Sequence, residues 1–528
     1  MFGKIIRGYL NKSIVLIILL LVVSACNKKM KVSETSGFRS ITGFIAGETT
    51  NHTQSIQRAI DFCLENRIDT LFFPKGTYHV GSVNVSPGMV FLGEEGTILK
   101  KIPKAGKWSR MFTTQKRTHL GDKDSEPIVY RNLTFDGNKE SQGPYRKYQL
   151  QQQHILYFDA DPAKAGRVKG KVINCHFRNS VADGISLWRN ADVEVYNCTA
   201  TNVFRGGVVA TGGHSKLYVE NFKAGGDIDL TGIDIEIDAD GFGGEKDIIA
   251  EMRNIHLQGD FDVNAPGKGS SFRGDNIKLD NPGFFLSARN GLVHITNSSF
   301  NMGDNLQRTN IYFPKDITFE NCQFYLQSGN KKPAGINVFM ETSYRRKGSQ
   351  RLRFKDCIFT GKRIGTKPLY AIHNQENFTE MESNHLVIEN TRFIGDFDAP
   401  LFFNKGGNLK MNNVYAEGNY AIKMNSLNGK TPVKFNIDQI NISEKVDKVF
   451  SHSYPCSKDK INLSNVVIDD TKKINIHKSV TKKVDKVFHN KANKQTKKPY
   501  AKISKNGLIE SIHEYDKVLK KWKVKSIN

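Results

Sequence analysis

The 528-residue chain has no Cys-x-x-Cys pair and no His-x-His cluster at zinc-like spacing, which speaks against a structural zinc site. It has no amphipathic stretch of useful length at the helical period, so a stack of helical hairpins does not fit. Acids are in short supply: 53 Asp+Glu stand against 77 Lys+Arg, a formal net charge of +24. The deficit is sharpest over 471–528, where 17 lysines face four acids, Asp485, Glu510, Glu514 and Asp516. Such a balance suits an anionic partner: nucleic acid, a membrane surface or an acidic polysaccharide. For the tail alone, a solvated lysine-rich face explains the sequence equally well.

One apolar run stands out, "SIVLIILLLVVSAC" at 13–26, preceded by Lys4, Arg7 and Lys12. It is too short and one-sided for a comfortable transmembrane helix. It ends in Val23-Ser24-Ala25-Cys26, which resembles the bacterial lipobox. That resemblance implies loss of 1–25 as a signal peptide and lipidation of Cys26, with 26–40 as a linker. Asn27 stands where an inner-membrane retention signal would place Asp. The expectation is a lipid-anchored protein of the bacterial cell envelope, at the outer membrane or cell surface, with no nucleic-acid partner. An exported chain could pair its six other cysteines. Four of them, however, recur in one context ("VINCHF", "VYNCTA", "FENCQF", "FKDCIF"), as stacked small core residues would.

Those contexts belong to a longer repeat, apolar-x-apolar-x-Asn/Asp. It falls at Asn132, Asn174, Asn197, Asn221, Asn254, Asn276, Asn297, Asn321, Asp356, Asn390, Asn413, Asn441 and Asn465, mostly 21 to 24 residues apart. Each unit holds short strands of period two broken by Gly, Asn and Asp. One unit cannot bury its apolar face alone; stacked units can, with Asn side chains hydrogen-bonded from turn to turn. At the front, Ile56, Ala59, Ile60 and Cys63 share one helical face, and "FFPKGTYHV" (72–80) follows as a first coil. "EKVDKVFSH" (444–452) and "KKVDKVFHN" (482–490) nearly repeat one another and read as two late coils.

Over roughly 40–470 these features resemble the parallel β-helix superfamily of pectate lyases and polygalacturonases. The resemblance implies an all-β chain: a single-stranded right-handed parallel β-helix of about 12–14 coils over 41–490, with an N-terminal capping helix. A basic C-terminal segment or cap would occupy 491–528, and the chain would be a monomer.

The candidate site lies at "TGIDIEIDADG" (231–241), where Asp234, Glu236, Asp238 and Asp240 alternate with apolar residues. Aligned with "ADGISLWRN" (182–190) and "RGGVVATGGH" (205–214), it sets Ser186, Val209 and Asp234 in one outward column. Trp188, Thr211 and Glu236 form the next, and Asn190, Gly213 and Asp238 the third. Asp183, Arg205 and His214 border the patch. Glu236 and Asp238, about 6.5–7 Å apart at Cα, suit a hydrolytic pair that needs no cofactor. An acid-x-acid pair on a β-helix strand also resembles the iota-carrageenase family, whose sulfated substrate fits a basic protein. The alternative is β-elimination, with Asp234 and Asp240 among the oxygen ligands of a Ca²⁺ ion and His214, ahead of Arg205, as base. A non-catalytic glycan-binding solenoid is the third reading. Trp188, Asp183 and Arg205 are expected to contact an acidic polysaccharide, as are Arg345, Arg346 and Lys347, which sit with Arg351 and Arg353 in the insert 341–354. The loop 137–154 would form the groove's other wall.

Overall fold

The computed structural model describes residues 37–526 except 46, 48–49, 115–120, 145–149, 161–163, 227–230, 237–246, 265–268, 281–282, 289–290, 303–308, 313–314, 331–332, 340–349, 376–384, 426–431, 456, 470–473, 477, 479, 490–499 and 517–520. Cys26 lies outside the described residues.

Strand pairing is parallel from Phe38–Ser40, which pairs with the strand Thr70–Phe73, to Thr481–His489, which pairs with Lys460–Ile468. Fourteen strands, from Val83–Asn84 to Lys448–Ser453, form one face. The other strands of each coil join a 29-stranded sheet that makes up the rest of the wall. The chain is a right-handed parallel β-helix, as its repeat implies.

The repeated Asn explains the sharp corner within the larger sheet. Asn174, Asn197, Asn221, Asn254, Asn276 and Asn321 all have φ between 51° and 55°, a left-handed conformation that Asn tolerates better than most residues. Their amides hydrogen-bond from coil to coil. Asn197 donates to Asn174 (3.2 Å), Asn221 to Asn197 (2.9 Å) and Asn254 to Asn221 (3.0 Å). Asn441 departs from the expected row. Gln439 takes the left-handed position instead (φ 59°), and Asn441 donates to the Gly507 carbonyl at 2.8 Å. Asn221→Ala, which loses both ladder bonds and the tolerated backbone, should cost about 1–3 kcal/mol in chemical denaturation. Asn221→Gly, which restores the backbone freedom alone, should recover part of that loss.

Inward residues stack in register, as Phe324 does on Phe300 (4.9 Å) and Phe359 (4.5 Å). Cys175, Cys198, Cys322 and Cys357 are buried and free in the same core, stacked small residues rather than disulfide partners.

Helix α1 (Thr53–Glu65) closes the N-terminal end and buries Ile56, Ala59, Ile60 and Cys63, the face read from the sequence. It also satisfies backbone groups at the open edge. Gln57 accepts from Asn84 N at 2.8 Å and donates to its carbonyl at 3.2 Å, while Thr53 Oγ1 accepts from Gly81 N at 2.6 Å. An uncovered edge would otherwise template further pairing. At the far end Tyr500–Ile503, Ile509–Asp516 and Lys521–Ser526 pair antiparallel, with a small core of Val467, Phe488, Ala501, Ile509 and Ile512.

The two near-duplicate segments do not occupy equivalent places. Lys448–Ser453 is the last strand of the fourteen-stranded face, whereas Thr481–His489 lies in the larger sheet with Lys486 at φ 48°. Val446 is buried in the first segment, while its counterpart Val484 in the second is 42% exposed. Identical residues fill different roles because the neighbouring coil, not the local pattern, decides which face a strand joins.

Candidate functional site

The site is built on the fourteen-stranded face, whose register fixes which side chains share a column. Tyr157 pairs with Ser186, Ser186 with Val209, Val209 with Asp234, Asp234 with Asp262, and Asp262 with Phe285. The first expected column, Ser186–Val209–Asp234, is therefore present. The second follows from backbone bonds: Thr211 N donates to the Leu187 carbonyl (2.9 Å), and Glu236 N to the Ala210 carbonyl (2.8 Å). Trp188, Thr211 and Glu236 thus stand abreast, with Trp188 half-buried at a register shift between Leu187 and Arg189. The chain must pass close by there. A Cβ on Gly212 would sit 1.1 Å from the Trp188 carbonyl oxygen, so the crossing demands glycine.

Beside the columns, where the chain enters each strand, lies a charged cluster. Asp183 is fully buried, with Oδ2 2.8 Å from His154 Nδ1 and Oδ1 3.6 Å from Arg205 Nε. Arg205 continues to Glu236, its Nη2 3.8 Å from Oε2. His154 is buried and stacks on Tyr157 at 5.3 Å, and the Arg110 guanidinium lies 3.6 Å from the centre of the same ring. Arg189 clamps Asp159 with bonds of 2.9 and 3.1 Å. Buried Lys101 donates to the carbonyls of Ser109 (2.6 Å) and Gln153 (3.1 Å), the residues just before Arg110 and His154.

These surroundings pull the titratable groups apart. Burial pushes the Asp234 carboxyl well above the usual carboxylate range; Glu236 and Asp262 push it further, against the opposing pull of Arg205. Glu236 is half-exposed beside Arg205. Burial lowers the His154 pKa, partly offset by Asp183, so its ring is neutral at pH 7. Burial raises the Tyr157 phenol, with Asp159 adding to the rise.

Four of the sequence-derived site residues, Asp183, Arg205, Asp234 and Glu236, come together. Asp238, Asp240, Arg345, Arg346 and Lys347 lie outside the described residues. His214 does not join the cluster. It is an exposed turn residue at φ 57° past the end of its strand, and its carbonyl accepts from Arg167 at 2.8 Å. Arg351 and Arg353 line no insert rim; they sit in the strand Arg351–Lys355 of the larger sheet, paired with Asp316 and Glu389. The sequence reading did not pick out His154, Tyr157, Arg110 or Asp262. His154 and Tyr157 sit in "HILYFD", whose register against "DGISLW" would have set them beside Asp183 and Ser186. Among the described residues, no group of three or more His, Cys, Asp or Glu is arranged to hold a metal ion.

No family model and no curated protein matches the chain. Several solved structures align with it at low identity. An exopolygalacturonase of family 28 from Yersinia enterocolitica aligns at TM-score 0.40 and 12% identity, over 84% of this chain and 79% of its own. Tailspike protein 3 of bacteriophage CBA120 aligns at 0.39 and 10%, over 92% and 68%. The A-module of a mannuronan C-5 epimerase from Azotobacter vinelandii aligns at 0.35 and 11%, over 86% and 100%.

Proposed function

We propose that this protein hydrolyses glycosidic bonds in an acidic polysaccharide, with Asp234 as general acid and Glu236 as general base. The observation that carries the reading is the contrast within this pair. The two side chains stand two residues apart, yet burial and the carboxylates of Glu236 and Asp262 push the Asp234 carboxyl well above its usual range, while Glu236 lies half-exposed beside Arg205. A carboxyl whose pKa is raised, beside a second carboxyl open to solvent, is an arrangement that suits acid–base cleavage. Residues two apart on a strand have Cα atoms about 6.5 Å apart, comparable to the roughly 6.5–9.5 Å between the carboxyls of inverting glycosidases. The pair expected from sequence, Glu236 and Asp238, thus moves one step along the strand. Arg110 and Arg205 supply the positive charge that suits uronate or sulfate. We further propose that a lipidated Cys26 holds the protein at the cell envelope, within reach of extracellular glycan. No helix among the described residues is long and apolar enough to cross a membrane.

Calcium-assisted elimination ranks second. Asp234 is among its expected ligands, but an Asp whose carboxyl is pushed up by burial is a poor one, and Tyr157 with a raised pKa is a poor base. The test is incubation with polygalacturonate, alginate and sulfated galactans, with and without EDTA. New reducing ends without the ultraviolet absorbance of an unsaturated uronate are the expected result. Absorbance that EDTA abolishes would replace hydrolysis by elimination. Saccharide binding without any cleavage would make the solenoid a binding module. Glu236→Gln should lower turnover about 10²–10⁴-fold while leaving thermal stability nearly intact, since its side chain is half-exposed.

A further inference from the structure

Beyond Asp262 the outward side of the fourteen-stranded face turns from acids to rings in two neighbouring columns: Phe285 pairs with Asn310 and, further along, His373 with Phe402, while Tyr312 pairs with Phe339 two residues on along their strands. Phe285, the register partner of Asp262, stacks on Tyr312 at 4.9 Å, and Tyr312 stacks on Phe339 at 4.6 Å. Further along the same face Phe402 stacks on His373 at 4.7 Å and lies 4.8 Å from the Tyr370 ring. Lys423 Nζ sits 5.2 Å from the Phe402 ring centre. Phe285, Tyr312, Phe339, Phe402 and Lys423 are all partly exposed. Their neighbours Leu286, Ile311, Val338 and Leu401 build the core, so the rings are not needed to fill it. Aromatic ladders inside a solenoid are packing; a ladder outside it keeps apolar surface in water, which favours a ligand that covers it.

His373 adds a second observation. Burial, together with Lys423, lowers its pKa to about 4, so the ring is uncharged at neutral pH. Gln375 donates to its Nδ1 at 2.8 Å and to Asn337 at 3.1 Å, which leaves the proton on Nε2. Nε2 is buried and finds no partner among the described residues, a donor that costs free energy until an acceptor reaches it.

We propose that this row binds the acidic polysaccharide itself, as a track along the solenoid axis from Asp234 and Asp262 to Lys423. Sugar faces stack on Phe285, Tyr312, Phe339 and Phe402, and Lys423 meets a carboxylate or sulfate at the far end. From Asp234 to Phe402 is six register steps, about 29 Å at about 4.8 Å per step. The track therefore favours polymer over short fragments. This inference rests on the carbohydrate reading of the face, not on cleavage.

The test is native affinity electrophoresis of the full chain carrying Asp234→Asn, in gels containing polygalacturonate, alginate or a sulfated galactan. At least one polymer should retard it. Adding Phe402→Ala or Tyr312→Ala should weaken that retardation about fivefold to tenfold in Kd. Both changes leave net charge untouched, so non-specific attraction to the basic surface stays constant. Lys423→Met, at a partly exposed position, serves if a ring variant unfolds, and should weaken binding most for the most highly charged polymer. Retardation equal to the parent's in these variants, or a parent unretarded by all three polymers, would overturn the track. Ring-dependent binding with no cleavage by the unsubstituted protein would keep the track and remove the hydrolase.

Discussion

Asp234→Asn should lose about 10²–10⁴-fold in turnover and yet unfold at higher temperature than the parent at pH 7. The activity loss follows because an amide has no proton to give the leaving oxygen. The stability gain follows from linkage. Burial and the carboxylates of Glu236 and Asp262 raise the folded-state pKa of Asp234 above its unfolded value. Between those two values the folded state binds more protons, so stability contributed by Asp234 falls as pH rises through that window. Asparagine removes the slope. The difference should be smallest at pH 3–4 and grow toward neutral pH, by about 1.4 kcal/mol for each unit by which the folded-state pKa exceeds the unfolded one. Scanning calorimetry across pH measures it. A variant destabilised equally at every pH would show that Asp234 is structural. In the active protein the alkaline limb of kcat/KM should follow Asp234, and removing Arg205, which opposes its pKa rise, should move that limb upward.

Asp183→Ala should be the most destabilising change at the site, by about 3–5 kcal/mol, because it strips the partner from charge held away from water. Asp183 is closed to solvent: its side chain is 0% accessible, with His154 at 2.8 Å and Arg205 at 3.6 Å. Loss of the carboxylate also removes the influence that raises the His154 pKa, so that pKa should fall further, which histidine NMR would report. Arg205→Met alone leaves Asp183 with His154. The double variant should cost less than the sum of the two, with a coupling of about 0.5–3 kcal/mol in chemical denaturation. Additive losses would show that the pair does not act as a unit.

Much of this architecture is legible in the sequence. The Asn repeat fixes the coil length because few residues tolerate the left-handed corner, and the period-two pattern fixes which side chains face the core. Ile56, Ala59, Ile60 and Cys63 identify the closing helix for the same reason. Even the Ser186–Val209–Asp234 column follows from aligning three Gly-Ile/Val starts, since parallel coils repeat in register.

The site was only half legible. Asp183, Arg205, Asp234 and Glu236 are legible as charges on or beside apolar strands, but how deeply each is buried is not, since no pattern of residue types specifies it. His154 reaches Asp183 across 29 positions of sequence, and Asp262 meets Asp234 across 28. His214 was credited with a role because it follows the strand closely in sequence; it lies past the strand's end and in solvent. "VDKVF" shows the limit most plainly, for the same five residues join different sheets at 446–450 and 484–488. By itself, then, the sequence determined the coil, the corner and the inward face, because each is set by local sterics and alternation. Only the tertiary structure decided which charges meet, what raises the Asp234 carboxyl and which rings stack beyond it, because those depend on the register between coils and on the water that stacking excludes.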